Sequence, residues 1–463
     1  MSKIRKVLLL NPPGKRLYLR DAYCASFAKA NFYWPQIDLL IQSGFLSQHF
    51  DIYVLDATIL GLNEAETLQT ISSIKPDAVF CLASSISWDE DKKIMETIKH
   101  KNNSVIVGGG DIFSFDGLQV FNNNPFLDGI LLDFSSDAFL DYLLGEHDGI
   151  ISNMIYRRDG KLYEGKHQTS SYPLKYPIPR HELFPLKKYR VPFFSNGKIF
   201  SVVYSSHGCP FSCSFCSAIE FNFLRLREIE NLLAELRYIN SLGINNIYFR
   251  DALFTADKKH SVEICEAMIK EGFNFEWYCE SRVDTIDLTL ADAMRRAGCS
   301  LIRFGVESGD DGILKFVNKG IDSSMIKKAF EYCRHTDIRT TANIIFGLPG
   351  ETEETVLKTI QFVMELDCDY VSFNIAMPKL GTELRRKALN EGWISSDIRE
   401  ISNGIPLPTI PLERLKRLRN YAVKKFYLRP RYIFNHLRSI HSGRNLIRSF
   451  QMLASLFNEM RKD

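Results

Sequence analysis

Before Gly149 the chain repeats one pattern, a short apolar run that stops at Gly, Asn, Asp or Pro and is followed by a stretch of helix length. The runs are KVLLLNPPG, DIYVLDAT, AVFCLASS, SVIVGGGD and DGILLD. Segments such as WPQIDLLIQSGFLSQH and DEDKKIMETIKHKN lie between most of them, with apolar residues recurring every three or four positions. This alternation predicts an α/β fold, with a doubly wound, Rossmann-like parallel sheet over residues 1–150. Ligands of such sheets bind at the carboxyl ends of the strands. Those ends carry Asn11 to Gly14, Ser84, Ser85, and Gly108, Gly109 and Gly110.

From 151 to 198 the pattern loosens, and prolines at 173, 177, 179, 185 and 192 disfavour long helices, so this segment reads as a linker. Six further strand runs follow: IFSVVYSS, NNIYFRDA, FEWYCES, LIRFGVES, TTANIIFGLPGE and YVSFNIAMPK. Helical segments separate them, which predicts a full or partial (β/α)6 barrel over 199–395. A barrel's site lies at its C-terminal strand ends. Polar residues collect there: Ser205 to Cys216, Asp251, Glu280 to Arg282, Glu307 and Ser308, and Gly347 to Glu351.

Composition excludes little, because 45% hydrophobic and 24% charged residues with a net charge of +3 are ordinary for a globular chain. No nucleic-acid partner is expected from it. Charge is nevertheless uneven. Leu412 to Asp463 holds thirteen Lys and Arg against three Asp and Glu, so 396–463 reads as a basic, mostly helical tail that caps the barrel or touches a membrane surface. The apolar run in MSKIRKVLLLNPPG is too short for a signal peptide, and no stretch of about 18 apolar residues occurs. A cytoplasmic protein is expected, with its ten cysteines reduced or bound to metal.

Three of those cysteines fall in the ten residues HGCPFSCSFC, as Cys209, Cys213 and Cys216, spaced C-x3-C-x2-C. Thiolates spaced this way converge on one metal centre from a single loop. A zinc ion with His207 as fourth ligand is one reading. An iron-sulfur cluster with one iron left open is the other, and it suits a loop at the mouth of a barrel.

The motif, with an aromatic before its last cysteine, resembles the radical S-adenosylmethionine (radical SAM) superfamily, and the resemblance runs from about Ile199 to Trp393. It implies a [4Fe-4S] cluster on Cys209, Cys213 and Cys216 and a 5'-deoxyadenosyl radical from reductive cleavage of S-adenosylmethionine. The same resemblance implies cofactor contacts by Phe215 at the adenine, by Asp251 near the methionine part, by Glu280 and Arg282 to carboxylate or ribose, by Glu307 and Ser308 at ribose and methionine, and by the turn at Gly347. A flavodoxin or ferredoxin would supply the electron.

A doubly wound sheet ahead of such a barrel resembles the cobalamin-binding subgroup, which includes class B methyltransferases and anaerobic cyclase-like enzymes. Ser84, Ser85, Gly108, Gly109 and Gly110 would then face the dimethylbenzimidazole tail of cobalamin. The chain departs from the D-x-H-x-x-G pattern of that fold, since NPPGKRLYLRDAY after the first strand has no histidine. Only Cys24 and Cys81 precede residue 200, so the extra cluster of a methylthiotransferase is not expected. The implied reaction is C-methylation of an unactivated carbon in a small-molecule or lipid-type intermediate. Cyclisation or rearrangement on the same scaffold is the alternative, and a non-catalytic cobalamin or iron-sulfur binding module is a third reading.

Overall fold

The computed structural model describes residues 4–21, 24–28, 32–145, 149–168, 173–194, 199–218, 222–395, 409–430 and 432–433. The first sheet has seven strands: β1 (Lys6–Asn11), β2 (Asp51–Asp56), β3 (Ala78–Leu82), β4 (Val105–Gly109), β5 (Gly129–Leu131), β6 (Met154–Arg158) and β7 (Lys161–Glu164). Their order is β2-β1-β3-β4-β5-β6-β7. The first five pair in parallel, as the alternation requires, and β6 and β7 add antiparallel to the edge. The linker reading of 151–198 is corrected here for residues 154–164, which belong to this sheet. The physical cause is a two-residue turn at Asp159 and Gly160, both with positive φ, and YRRDGKLYE is a hairpin sequence.

The second sheet has six strands in chain order, all pairings parallel: β8 (Phe200–Val203), β9 (Asn246–Phe249), β10 (Glu276–Ser281), β11 (Cys299–Glu307), β12 (Arg339–Phe346) and β13 (Tyr370–Ile375). Among the described residues no pairing joins β8 to β13. Helices Lys258–Lys270, Leu288–Arg296, Ser323–His335 and Glu353–Leu366 lie where the periodicity puts them. Each starts at a side chain that satisfies an end N–H, namely Asp257, Asp287, Asp322 and Thr352.

Alternation along the strands sorts the core. Ile302, Phe304, Ala342, Ile344, Val371 and Phe373 are buried beneath the helices. Tyr248, Tyr278 and Leu301 join a second core together with Val7, Leu9, Phe80 and Val107 of the first sheet, so one apolar mass spans both sheets. Phe193 and Phe194 press on Tyr278 with ring centroids 5.3 and 5.2 Å away. Trp34 stands edge-on to Tyr248 at 5.8 Å, and Asp21 pairs with Arg250 at 2.8 Å.

The segment rich in aromatics after β1 is a hairpin, Tyr18–Asp21 against Cys24–Phe27. It drives Arg20 into the carboxyl end of the first sheet. The guanidinium is fully buried and bonds Asp91 at 2.7 Å, Asn11 Oδ1, the Pro12 carbonyl and Thr58, each of these three at 3.0 Å. Helix Leu412–Tyr427 packs on β13 through Leu415, Leu418, Ala422 and Phe426, and Tyr427 bonds the Val371 backbone. That part of the basic tail caps the barrel, while 396–408 and 434–463 lie outside the described residues. Among the described residues no helix is long and apolar enough to cross a membrane.

Burying Arg20 and Asp91 together leaves either one stranded when the other is removed. Arg20→Met should therefore lower unfolding free energy by about 3 kcal/mol, and Arg20→Met with Asp91→Leu should recover part of it, read from urea denaturation curves.

Candidate functional site

The thiol loop hangs from a small hairpin, Ser206–Gly208 paired with Leu224–Leu226, just past β8. Gly208 has φ +97°, and a Cβ there would stand 2.1 Å from the Phe223 carbonyl, so only glycine makes this turn. Three ties fix the loop to the barrel: Ser214 N–H donates to Val317 O at 3.1 Å, Leu384 N–H to Ser214 O at 2.9 Å, and Asn318 Nδ2 to Ser212 O at 3.0 Å.

The hairpin is also locked to the first sheet. Arg225 donates to Asp133, at the end of β5, at 2.6 Å, to Ser135 at 2.9 Å and to His207 Nδ1. Burial pushes the His207 imidazole down to about 3, so it stays neutral and can accept from Arg225. His207 is thus committed to this network and not to the thiols. Among the described residues no three His, Cys, Asp or Glu side chains stand close enough to hold a single ion. Thiolates on a four-iron cluster bind separate irons and sit wider apart than the ligands of one zinc.

The donor set fits such a cluster. Burial raises the Cys209 thiol and pushes Cys216 up to about 11, and Arg282 and Lys319 pull Cys209 the other way. Iron binding would take those protons off. Arg282 lies 3.8 Å from the Phe211 ring and 3.5 Å from Cys213 Sγ, while Asp284 and the Lys319 carbonyl hold its other N–H groups.

Three implied contacts, Glu307, Phe215 and Gly347, gather beside the loop, and Glu280 stands apart from them. A bulge between Gly305 and Glu307 gives Glu307 a φ of +65°, and its carboxylate meets Lys319 Nζ at 2.8 Å. Phe215 packs with Ile313, Val317, Leu348 and Ala376 under Lys319, and the turn at Gly347, φ +85°, leads into the same cluster. Glu280 accepts from Tyr248 at 2.9 Å and from Arg303.

Two others are spent on the scaffold. Asp251 Oδ1 takes the N–H and hydroxyl groups of Ser205 and Ser206, the residues leading into the loop. Its Oδ2 is buried without a partner, and burial pushes the carboxyl up to about 6. Ser308 is fully buried on Thr359 and the Asp310 N–H.

At the first sheet, Ser84 donates its N–H to Asp91 at 3.0 Å, and Ser85 binds Asp111 through both N–H and hydroxyl. Gly108, Gly109 and Gly110 are required by contact: a Cβ on each would meet Phe113, Phe80 or the Ala83 carbonyl at 2.5, 2.4 and 2.1 Å. Gly109 and Gly110 border a small cavity with Asp38, Ser114 and Phe134. Ser84 and Ser85 are thus engaged within the first sheet, and of the residues expected to face cobalamin only Gly109 and Gly110 border this cavity. Lys379 is near enough to act electrostatically on both Asp111 and Cys216.

The sequence reading missed Lys319, Asp111, Asp133 and Arg225. Asp111 directly follows the glycine run and was within reach. The others carry no local signal, since their partners lie 12, 92 and 92 residues away.

A family model described as the radical SAM superfamily matches residues 203–363. Residues 203–363 are therefore a radical SAM domain. The whole chain is 28% identical over 453 residues to an uncharacterized methyltransferase of Pyrococcus horikoshii, covering 95% of this chain and 96% of that one. It is 24% identical to the anaerobic magnesium-protoporphyrin IX monomethyl ester cyclase of Rubrivivax gelatinosus, over 78% of this chain and 68% of the relative. Its fold is that of the cobalamin-dependent S-adenosylmethionine radical enzyme OxsB, solved with aqua-cobalamin and S-adenosylmethionine: TM-score 0.71 at 16% identity, over 98% of this chain and 72% of that one.

Glu351 offers a test of the Gly347 turn. Its Oε2 accepts from the N–H groups of Gly347 at 2.6 Å and Leu348 at 3.3 Å, and burial pushes the carboxyl up from 4.5 to about 8. The folded chain then holds a proton that the unfolded chain releases, so stability falls as pH rises through that window. Between about pH 6 and about pH 8 the wild type should lose about 2 kcal/mol more than Glu351→Gln, compared by urea midpoints at each pH.

Proposed function

We propose that this chain is a cobalamin-dependent radical SAM methyltransferase acting on an unactivated carbon of a small-molecule or lipid-type intermediate. The observation that carries the reading is the three-thiol loop clamped by Arg225 to Asp133, at the carboxyl end of the first sheet. That arrangement supports two cofactors in one cleft. OxsB, of the same fold, was solved with both aqua-cobalamin and S-adenosylmethionine.

Bound there, the cluster and S-adenosylmethionine supply a carbon radical and cobalamin carries the methyl group, so the cofactors perform the hard step. The protein's own residues hold and screen. Cys209, Cys213 and Cys216 would ligate the cluster; Glu307 with Lys319, and Arg282 with Asp284, would present paired charges to the amino, carboxylate and ribose groups; Phe215 and the Gly347 turn would take the adenine. Asp251 and Ser308 hold the strand ends in place. The shared apolar core seals the lower barrel from water. Cyclisation or rearrangement is the second reading, favoured by the similarity to the Rubrivivax gelatinosus cyclase along 78% of the chain.

In this reading residues 1–150 carry cobalamin, with β6 and β7 attached, 199–395 form the radical SAM barrel, and 396–463 the cap. The enzyme works in the cytoplasm with a flavodoxin or ferredoxin as electron donor, and the basic tail contacts a membrane surface if the substrate is a lipid.

Anaerobic reconstitution followed by ultraviolet-visible and electron paramagnetic resonance spectra, with hydroxocobalamin and S-adenosylmethionine present, tests all of this. We expect a [4Fe-4S] signal perturbed by S-adenosylmethionine, bound cobalamin, and 5'-deoxyadenosine released on reduction. Cys213→Ala should lose the signal and the deoxyadenosine together. A cluster without cobalamin would move the assignment to the second reading, and zinc in place of iron would remove the radical chemistry.

A further inference from the structure

The inner face of the second sheet is not filled the way a purely structural barrel is. Between the buried apolar residues of β10 to β13 stand Glu280, Arg303, Gly305, Asn343, Ser372 and Asn374, all partly open. Barrel interiors built for packing carry branched apolar side chains in these positions. Here a polar strip rises instead from an aromatic floor, in which Tyr248 and Tyr278 stack at 4.2 Å with 14° between their planes.

Two guanidinium groups stand on that floor. Arg303 lies 5.4 Å from the Phe193 ring and Arg250 lies 5.8 Å from the Tyr248 ring. They are near enough to repel each other. Glu280 pairs with Arg303 and Asp21 with Arg250. The Glu280 oxygen that takes Arg303 is also taken by the Tyr248 hydroxyl, so Arg303 shares this acceptor. Its Nε is buried with no acceptor among the described residues. Buried donors in a finished site are satisfied, and a guanidinium fork matches the two oxygens of a carboxylate or phosphate.

We propose that Arg303 is the specificity-determining anchor for an oxyanion, carboxylate or phosphate, on the substrate. This rests on the reading of the barrel as the site of a radical SAM enzyme and adds the chemical class: the substrate is an acid, and its charged group docks in the lumen between Phe193, Glu280 and Asn343. Glu280, held by Tyr248, sets the position of the guanidinium. Phe193, from the segment between the two sheets, limits how deep the anion reaches.

The test uses the full-length chain with its cluster reconstituted and three probes of one shape: 1-naphthoate, 1-naphthyl phosphate and the neutral 1-naphthylmethanol. Calorimetric titration should show saturable binding of at least one anion, about tenfold weaker binding of the alcohol, a loss of about tenfold in Arg303→Gln, and partial retention in Arg303→Lys. The tighter of the two anions identifies the oxyanion. Equal binding of the alcohol, no binding of either anion, or anion binding unchanged in Arg303→Gln would overturn the anchor. Should Arg303→Gln fail to fold by circular dichroism, the comparison of anions with the alcohol on wild type still decides. Deoxyadenosine released without substrate is measured on the same preparation. Its presence beside failed anion binding sinks the anchor alone, and its absence sinks the broader reading.

Discussion

The ion pair between Arg225 and Asp133 is the interaction on which the site depends. It joins the hairpin that carries the thiol loop to the end of β5, and both side chains are almost wholly buried. Buried charges hold only when every partner is in place. Ser135 and a neutral His207 complete the network, and His207 is itself two residues from Cys209. The position of the thiols is consequently set by the first sheet as much as by the barrel. The chain's two halves share one apolar core for the same reason: neither the loop nor the lumen is complete without both.

Carboxyls deep at the strand ends show what this arrangement costs. Asp56, Asp111 and Asp251 are each pushed up to about 6 by burial, and each is held by hydroxyl, side-chain amide or backbone donors instead of a direct cation. Asp56 takes Tyr189 at 2.9 Å and Asn11 at 2.8 Å; Asp111 takes Ser85; Asp251 takes Ser205 and Ser206. Such groups fix backbone at the very ends from which ligand-binding loops depart. Their common effect is rigidity in the loops, gained at the expense of desolvating an acid.

Much of this was legible in the order of residues. Strand and helix alternation gave both parallel sheets, because period and punctuation are local properties. The C-x3-C-x2-C spacing gave the thiol loop, and a glycine at position 208 was needed for its turn. The hairpin at Asp159 and Gly160 was equally local and was obscured by the prolines after it. Lys319, Asp133 and Arg225 were not legible, since nothing in a lysine or an aspartate announces a partner brought near only by folding. His207 shows the opposite error: its place beside the cysteines suggests a ligand, while the fold assigns it to the clamp. The tail divides in the same way, for the helical period of 412–427 foretold a packed face and β13 provides the surface.

Exposure separates the charges that build the site from those that meet a ligand. In the clamp, Asp133 is fully buried and Arg225 is 9% exposed, so no outside group can exchange for either without opening the interface. In the lumen, Arg303 and Glu280 are 20% and 21% exposed, and water reaches both. A pair screened by water is worth little to stability, yet its geometry is held by Tyr248 and Phe193, so the groups remain aimed when the pair is broken. An incoming anion then takes the donor that Glu280 leaves open and strands no buried charge. That asymmetry is what lets one barrel hold a fixed cofactor loop at its rim and an adaptable recognition surface within.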